Sequence, residues 1–251
     1  MAARPESGGD AAARVARLAA DSGIEACADS ARVGSIRAMG PLAPGDLPAL
    51  LDQLEAADGP AAPLASTDGW ELVLAENVGY LVDDQRRWQA LQQLRSRVGL
   101  EPEQILRAPD SVLRDIVVGA GPADRVARLR RCAELAIAGA RWRDYPGIGA
   151  PGVDRIELFT GAKAILALDA NGMRVLTRLG FAEPARSYSA SYRQAQSAAA
   201  AGLGGSVPGL QRAHQLLRRH GQLTCRRTAP DCADCPIAAS CPSAGRAGPL
   251  Y

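Results

Sequence analysis

The 251-residue chain has a single lysine, Lys163, so the other 28 of its 29 basic residues are arginines. A mechanism that needs an amine nucleophile therefore has one side chain to draw on. Aromatic residues make up only 4% of the chain, and much of its 47% apolar content is alanine, a composition that favours helix over sheet. No window approaches 18 uninterrupted apolar residues, which excludes a hydrophobic membrane span from the expectation. The alanine-rich N-terminal stretch is interrupted by Glu6, Asp10, Arg14, Arg17 and Asp21, and its acids argue against an organellar presequence. A soluble, unexported, cytoplasmic protein is expected. The formal net charge of +2 is too small to imply a polyanionic partner by itself, so any such partner has to be argued from local clusters. At 26.2 kDa the chain can bury a core without disulfide staples.

What is present reads as helix. Residues 1 to 45 carry loose patterning and the run Gly40-Pro41-Leu42-Ala43-Pro44-Gly45, and are expected to be a weakly ordered extension. Asp46 stands as N-cap of a short helix through Leu47, Leu50, Leu51 and Leu54, stopped at Asp58-Gly59-Pro60. Ser66, Thr67 or Asp68 caps the next, which carries Trp70, Leu72, Val73, Leu74 and then the charged Glu76. Periodic segments follow at 84–97, 110–118, 122–138, 169–180, 187–201 and 208–220, with prolines at early helix positions. Residues 164–168, Ala-Ile-Leu-Ala-Leu, have strand character but stand alone, and one strand makes no sheet. The expected class is all-α.

Four of the six cysteines fall in the last 27 residues. Cys225, Cys232, Cys235 and Cys241 are spaced C-x6-C-x2-C-x5-C, with proline after both Cys235 and Cys241. In an unexported chain such crowding points to metal before disulfides. Zinc ribbons present two C-x2-C knuckles, whereas here one pair is flanked by looser spacings, which favours a [4Fe-4S] cluster over a single zinc. Cys27 and Cys132 have no such company and read as incidental thiols.

Tyr145-Pro-Gly-Ile-Gly149 lies between two helical patterns, where its glycines permit a tight turn and the amides of the following helix suit an anion such as a phosphate. Twenty residues on, Leu168-Asp-Ala-Asn-Gly-Met-Arg-Val-Leu-Thr-Arg178 places Asp169 at the start of a helix. The ordered set of Y-P-G-I-G, L-D-x-N-x-x-R-V-L-x-R and Ala213-His-Gln-Leu-Leu-Arg-Arg-His-Gly221 running into the cysteines resembles the helix–hairpin–helix DNA glycosylases of the endonuclease III superfamily, over roughly residues 46 to 242. The resemblance implies two helical domains with a DNA cleft between them: a barrel at 67–180 containing the hairpin, and an iron–sulfur domain of 46–66 plus 181–251. It implies that Asp169 faces the anomeric carbon of a flipped nucleotide, where a fixed carboxylate stabilises the cationic sugar. Bifunctional members carry a lysine two residues after the hairpin. Here that position is Pro151, so imine-based lyase activity is expected to be absent or weak, with Lys163 the one substitute and more readily a phosphate contact.

Glu76 matches the glutamate of the adenine-mismatch (MutY) branch that protonates the departing base, a role that asks for a half-buried carboxyl of raised pKa beside an ionised Asp169. The family's hole-filling glutamine falls at Leu81, which can still wedge an apolar side chain into the stack. The sequence ends nine residues after Pro242, so the extra C-terminal domain that reads 8-oxoguanine is not expected and no adenine specificity is assigned. Residues 124–143 hold six arginines and two acids, and residues 211–231 five arginines and one acid. Arg226 and Arg227, in the loop between the first two cluster cysteines, are expected to meet phosphates together with Gly147 and Gly149 of the hairpin. His214 and His220 suit structural or phosphate roles. The expectation is a base-excision glycosylase acting as a monomer on double-stranded DNA with a damaged or mispaired base, near the nucleoid and away from membranes. The alternatives are a bifunctional glycosylase and abasic-site lyase, a non-catalytic lesion-binding protein, and an iron–sulfur regulator or electron carrier.

Overall fold

A computed structural model describes residues 43–246 except 81, 120 and 184–186. The expected N-terminal extension lies, up to residue 42, outside the described residues. So does Leu81.

Among the described residues ten α-helices follow one another: α1 (Leu47–Asp58), α2 (Gly69–Val78), α3 (Asp84–Arg97), α4 (Pro102–Arg107), α5 (Asp110–Ile116), α6 (Pro122–Ile137), α7 (Ala150–Phe159), α8 (Ala170–Arg178), α9 (Tyr188–Leu203) and α10 (Val207–Leu223). The only pairing of strands described is a two-residue parallel bridge between β1 (Gly79–Tyr80) and β2 (Val118–Gly119), which ties the end of α2 to the segment after α5. The all-α expectation holds. Asp68 is the residue that caps α2, accepting from the Glu71 amide at 2.9 Å. Asp46 does not cap α1: it ends a 3₁₀ turn, and its carboxylate accepts from the Ala43 amide at 2.7 Å instead. The short helix α4 breaks out of the 84–118 region because Glu101 and Gln104 form a capping box around Pro102.

Apolar side chains collect in three clusters. One gathers α1, α8, α9 and α10 with Leu158 and residues 166–168; a second gathers α3, α4, α5 and α6 with the C-terminal half of α2. A third, smaller one packs Leu72 and Val73 of α2 against Cys132, Tyr145, Ile148 and Ile156. Thus α2 contributes to two clusters and stands between the hairpin and the α3–α6 group. Helices α8 and α10 cross closely, because a side chain at Gly221 would come within 2.8 Å of the Asn171 backbone oxygen. Only glycine admits that approach, which brings the residues of α10 one turn earlier against the start of α8.

Candidate active site

The apolar run 164–168 is not a strand. From Leu166 on, its backbone partners are side chains: Gln196 Nε2 donates to Leu166 O at 2.7 Å, His214 Nδ1 lies 2.9 Å from Ala167 O, and the Leu168 amide reaches Tyr192 Oη at 3.4 Å. With Leu166, Ala167 and Leu168 buried, the segment is held between α9 and α10 and delivers Asp169 to the start of α8. There the Asp169 carboxylate is the helix N-cap, with Oδ1 accepting from the amides of Asn171 at 3.0 Å and Gly172 at 2.8 Å. Oδ2 accepts from Asn171 Nδ2 at 2.9 Å and from Nη1 of Arg218 on α10.

The hairpin approaches from the other side. Gly147 takes φ +76°, a conformation that L side chains rarely adopt, and it turns the chain from a 3₁₀ turn at Trp142–Asp144 into α7. Tyr145 is buried against Trp70 and Trp142, with ring centroids 6.2 and 5.9 Å away. Asn77 of α2, fully buried, pins the turn by donating from Nδ2 to Pro146 O at 3.1 Å and to Val73 O at 3.0 Å. Asn77 was not singled out from the sequence, where an asparagine inside an apolar run gives no sign of a partner some seventy residues away. Its neighbour Glu76 faces the same space. A cavity of about 260 Å³ has Glu76, Gly147, Gly149, Pro151, Arg155 and Asp169 in its lining, with Tyr188 and His214 among the others. The two expected carboxylates and the hairpin glycines therefore share one cavity, and Pro151 stands in its wall.

Glu76 is not a carboxyl of raised pKa. Burial pushes it up, but the guanidiniums of Arg155 and Arg87 outweigh burial and hold it below the ordinary glutamate value. Arg155 Nη2 is 2.5 Å and Arg87 Nη1 3.5 Å from Glu76 Oε1. Arg87 also lies 3.6 Å from Asp84 Oδ1, and Asp84 is gripped by Arg218 through Nε at 3.1 Å and Nη2 at 2.5 Å. Alternating charges thus run Arg155–Glu76–Arg87–Asp84–Arg218–Asp169, along this cavity and an adjoining one of about 150 Å³. For Asp169 and Asp84 too, burial raises, but the opposing groups together outweigh it, Arg218 with the Gly172 amide and Asn171 side chain at Asp169 and Arg218 with Gln222 and Arg87 at Asp84, so both are depressed. The sequence did not single out Arg87, Arg155 or Arg218, because 28 arginines offer no pattern by which to choose three.

His214, buried, is pushed down from 6.5 to about 4 by burial, against the opposing pull of the Ala167 carbonyl. These groups all destabilise the fold in acid. As pH falls below 6.5 the unfolded chain protonates its histidine while the folded one does not until about 4. The depressed carboxylates contribute stability above their unfolded values that is lost as pH falls through the folded ones. The melting temperature is expected to fall from about pH 7 to about pH 5, and His214→Asn to flatten that slope. An unchanged slope in the variant would show that His214 takes up its proton equally in both states.

Lys163 lies away from the cavity, exposed in the loop after α7 and 3.6 Å from Glu157 Oε2. Arg226 folds back onto its own loop, donating to Leu223 O at 3.0 Å and to Ala229 O at 3.2 Å, whereas Arg227 is exposed. Arg174 and Arg178 of α8 hold this loop: Arg174 donates to Cys225 O at 2.8 Å and Gly221 O at 2.6 Å, Arg178 to Arg226 O at 2.8 Å.

Cys225, Cys232, Cys235 and Cys241 line one small, mainly apolar cavity of about 50 Å³ beside Val175, Leu179 and Ile237. All four are free thiols. Burial and then neighbouring cysteines push Cys235 up to about 11, and Arg178 Nη1 lies 3.2 Å from Cys225 Sγ. Among the described residues no three His, Cys, Asp or Glu side chains close on a point that could hold a single metal ion. The sulfurs ring a cavity, a donor set suited to a multi-atom cluster of soft metal more than to one zinc. Cys132 sits apart, buried, its thiol raised to about 12.

No protein-family model and no curated protein matches the sequence. Solved structures do match. An endonuclease III trapped as a covalent intermediate with DNA superposes with a TM-score of 0.64 at 17% identity, covering 80% of this chain and 96% of its own. A thermostable thymine-DNA glycosylase gives 0.63 at 18% identity, over 80% and 95%. The chain has the helix–hairpin–helix glycosylase fold. The 3-methyladenine DNA glycosylase MagIII of H. pylori, bound to 1,N6-ethenoadenine, shares it with a TM-score of 0.53 at 16% identity, over 72% of this chain and 98% of its own. Among the described residues no helix is long and apolar enough to cross a membrane.

Proposed function

We propose that the protein is a base-excision DNA glycosylase that hydrolyses the N-glycosidic bond of a damaged or mispaired base without coupled strand scission. The observation that carries this reading is the single cavity in which Asp169, Glu76 and the hairpin glycines meet. Its partner is double-stranded DNA held in the cleft between two lobes, one of α2 to α7 with the hairpin and the other of α1 and α8 to α10 with the cysteine loop. The amides at the start of α7 take a phosphate, and Arg227 a second one.

The chemistry follows from charge. As the bond from C1′ to the base breaks, the sugar becomes cationic and the base takes the electron pair; ionised Asp169 stabilises the cation. A water oxygen then bonds to C1′, one of its protons going to the base. Glu76, ionised by Arg87 and Arg155, is no proton donor in this arrangement. The positive group next to the cavity is Arg155, which stabilises the anionic departing base, while Glu76 holds that guanidinium in place. Pro151 offers no amine where the bifunctional enzymes have one, and Lys163 is elsewhere, which supports simple hydrolysis.

The cysteines fit a [4Fe-4S] cluster, with Cys225, Cys232, Cys235 and Cys241 as its ligands. When bound it supplies structural cross-linking of the C-terminal loop.

The test is a single-turnover assay on duplexes bearing uracil, thymine glycol, mismatched thymine, adenine opposite 8-oxoguanine or alkylated purines, with and without hot alkali. Strand breaks appearing only after alkali are expected. Breaks without alkali, with an adduct trapped by borohydride, would establish a lyase, and tight binding without base release would leave a lesion-binding protein.

A further inference from the structure

Asp169 has no oxygen to spare. Oδ1 is engaged by the two amides of α8, so Oδ2 is the atom left for a substrate, and Oδ2 is already held by Asn171 Nδ2 and Arg218 Nη1. A guanidinium in contact with the carboxylate opposes a reaction that builds positive charge beside it. Arg218 has a second anchor that does not depend on Asp169. Its Nε and Nη2 form a fork on Asp84, which also accepts from Gln222 Nε2 at 3.2 Å. Only the Nη1 contact has to break for Oδ2 to be released.

We propose that Arg218 is a guard on Asp169, occupying Oδ2 in the free protein and withdrawing onto Asp84 when a flipped nucleotide enters the cavity. This rests on the glycosylase reading and adds to it a built-in restraint: the carboxylate is neutralised until substrate competes for it. Arg218 does not touch the reacting atoms and acts through Asp169. The other charged or titratable groups facing Asp169 are Arg174 on its own helix, His214 from α10, and Glu76, Arg155 and Tyr188 around the cavity.

The test compares wild type, Arg218→Gln and the double variant Asp84→Asn/Arg218→Gln, which keeps the shape of the Arg218–Asp84 pair and does not leave a charged Asp84 behind without its guanidinium. Single-turnover base release with enzyme in excess is followed across pH, alongside carbon-13 titration of the Asp169 carboxyl. Both variants are expected to release base about tenfold faster on the pH plateau, because an opposing charge has gone. Their acid limb and the Asp169 titration are both expected to move to higher pH, because that carboxylate has lost its cation.

A plateau that falls or stays unchanged in the double variant, with wild type active, overturns the guard and leaves the glycosylase reading standing. Release by the variants from duplexes that wild type leaves intact supports both. No release by any of the three overturns both, and an Asp169 titration that does not move overturns the contact itself.

Discussion

Asp169→Asn is expected to lower single-turnover base release by about 10²- to 10³-fold, the usual cost of deleting a group aimed at charge that develops in the transition state. The variant separates chemistry from architecture. Asparagine caps helices as well as aspartate does, so the bonds to the Asn171 and Gly172 amides that start α8 survive. What disappears is the negative charge, together with the ion pair to Arg218. Duplex affinity is therefore expected to change by less than about tenfold, since removing an anion near a polyanion does not weaken association. Base release at the wild-type rate would sink the mechanism, while loss of release together with loss of the folded state would show Asp169 to be a cap and nothing more.

Cys235→Ala is expected to abolish the brown colour and the bound iron and sulfide, and to destabilise the fold by more than about 4 kcal/mol, the range reserved for lost metal centres and disulfides. The reason lies in where the loop docks. Ile237 belongs to the cluster of α1, α8, α9 and α10, the Cys235 sulfur lies 3.7 Å from His220 Nε2 of α10, and Arg174 and Arg178 reach from α8 to the carbonyls around Cys225. The same two helices carry Asp169 and Arg218, so release of the loop is expected to reduce base excision as well. Cys132→Ala is the control, isolated among apolar neighbours and expected to keep both colour and activity. A colourless wild-type protein containing one zinc would replace the cluster by a zinc site, and a mass lower by the hydrogens of two disulfides would remove metal altogether.

Much of this was legible because the chemistry is carried by local patterns. The cap signals around Asp68 and Asp169, the glycines of the hairpin and the cysteine spacing are each set within a few residues, where the chain's own geometry decides the outcome. Asp46 misled for the same local reason: a carboxylate just before an apolar run usually caps it, but here a 3₁₀ turn claims the side chain first. The run 164–168 had strand composition without a strand partner. Its backbone is satisfied by Gln196 and His214, residues about thirty and fifty positions later, which no local pattern reports.

The state of the two carboxylates was beyond the sequence altogether. Glu76 was expected to hold a proton because the resemblance gives its counterpart the role of the acid, and burial does push it that way. Arg155 comes from the helix after the hairpin and Arg87 from α3, and together they reverse the sign. By itself the sequence determined the helical class, the order of hairpin, cap aspartate and cysteine loop, and the absence of a lysine at Pro151, because these depend on residue type and spacing. Only the tertiary structure decided which of 28 arginines meet which acids, since ion pairs form between side chains brought together by helix crossings such as that at Gly221, and a charge in a half-buried cavity takes its pKa from those partners.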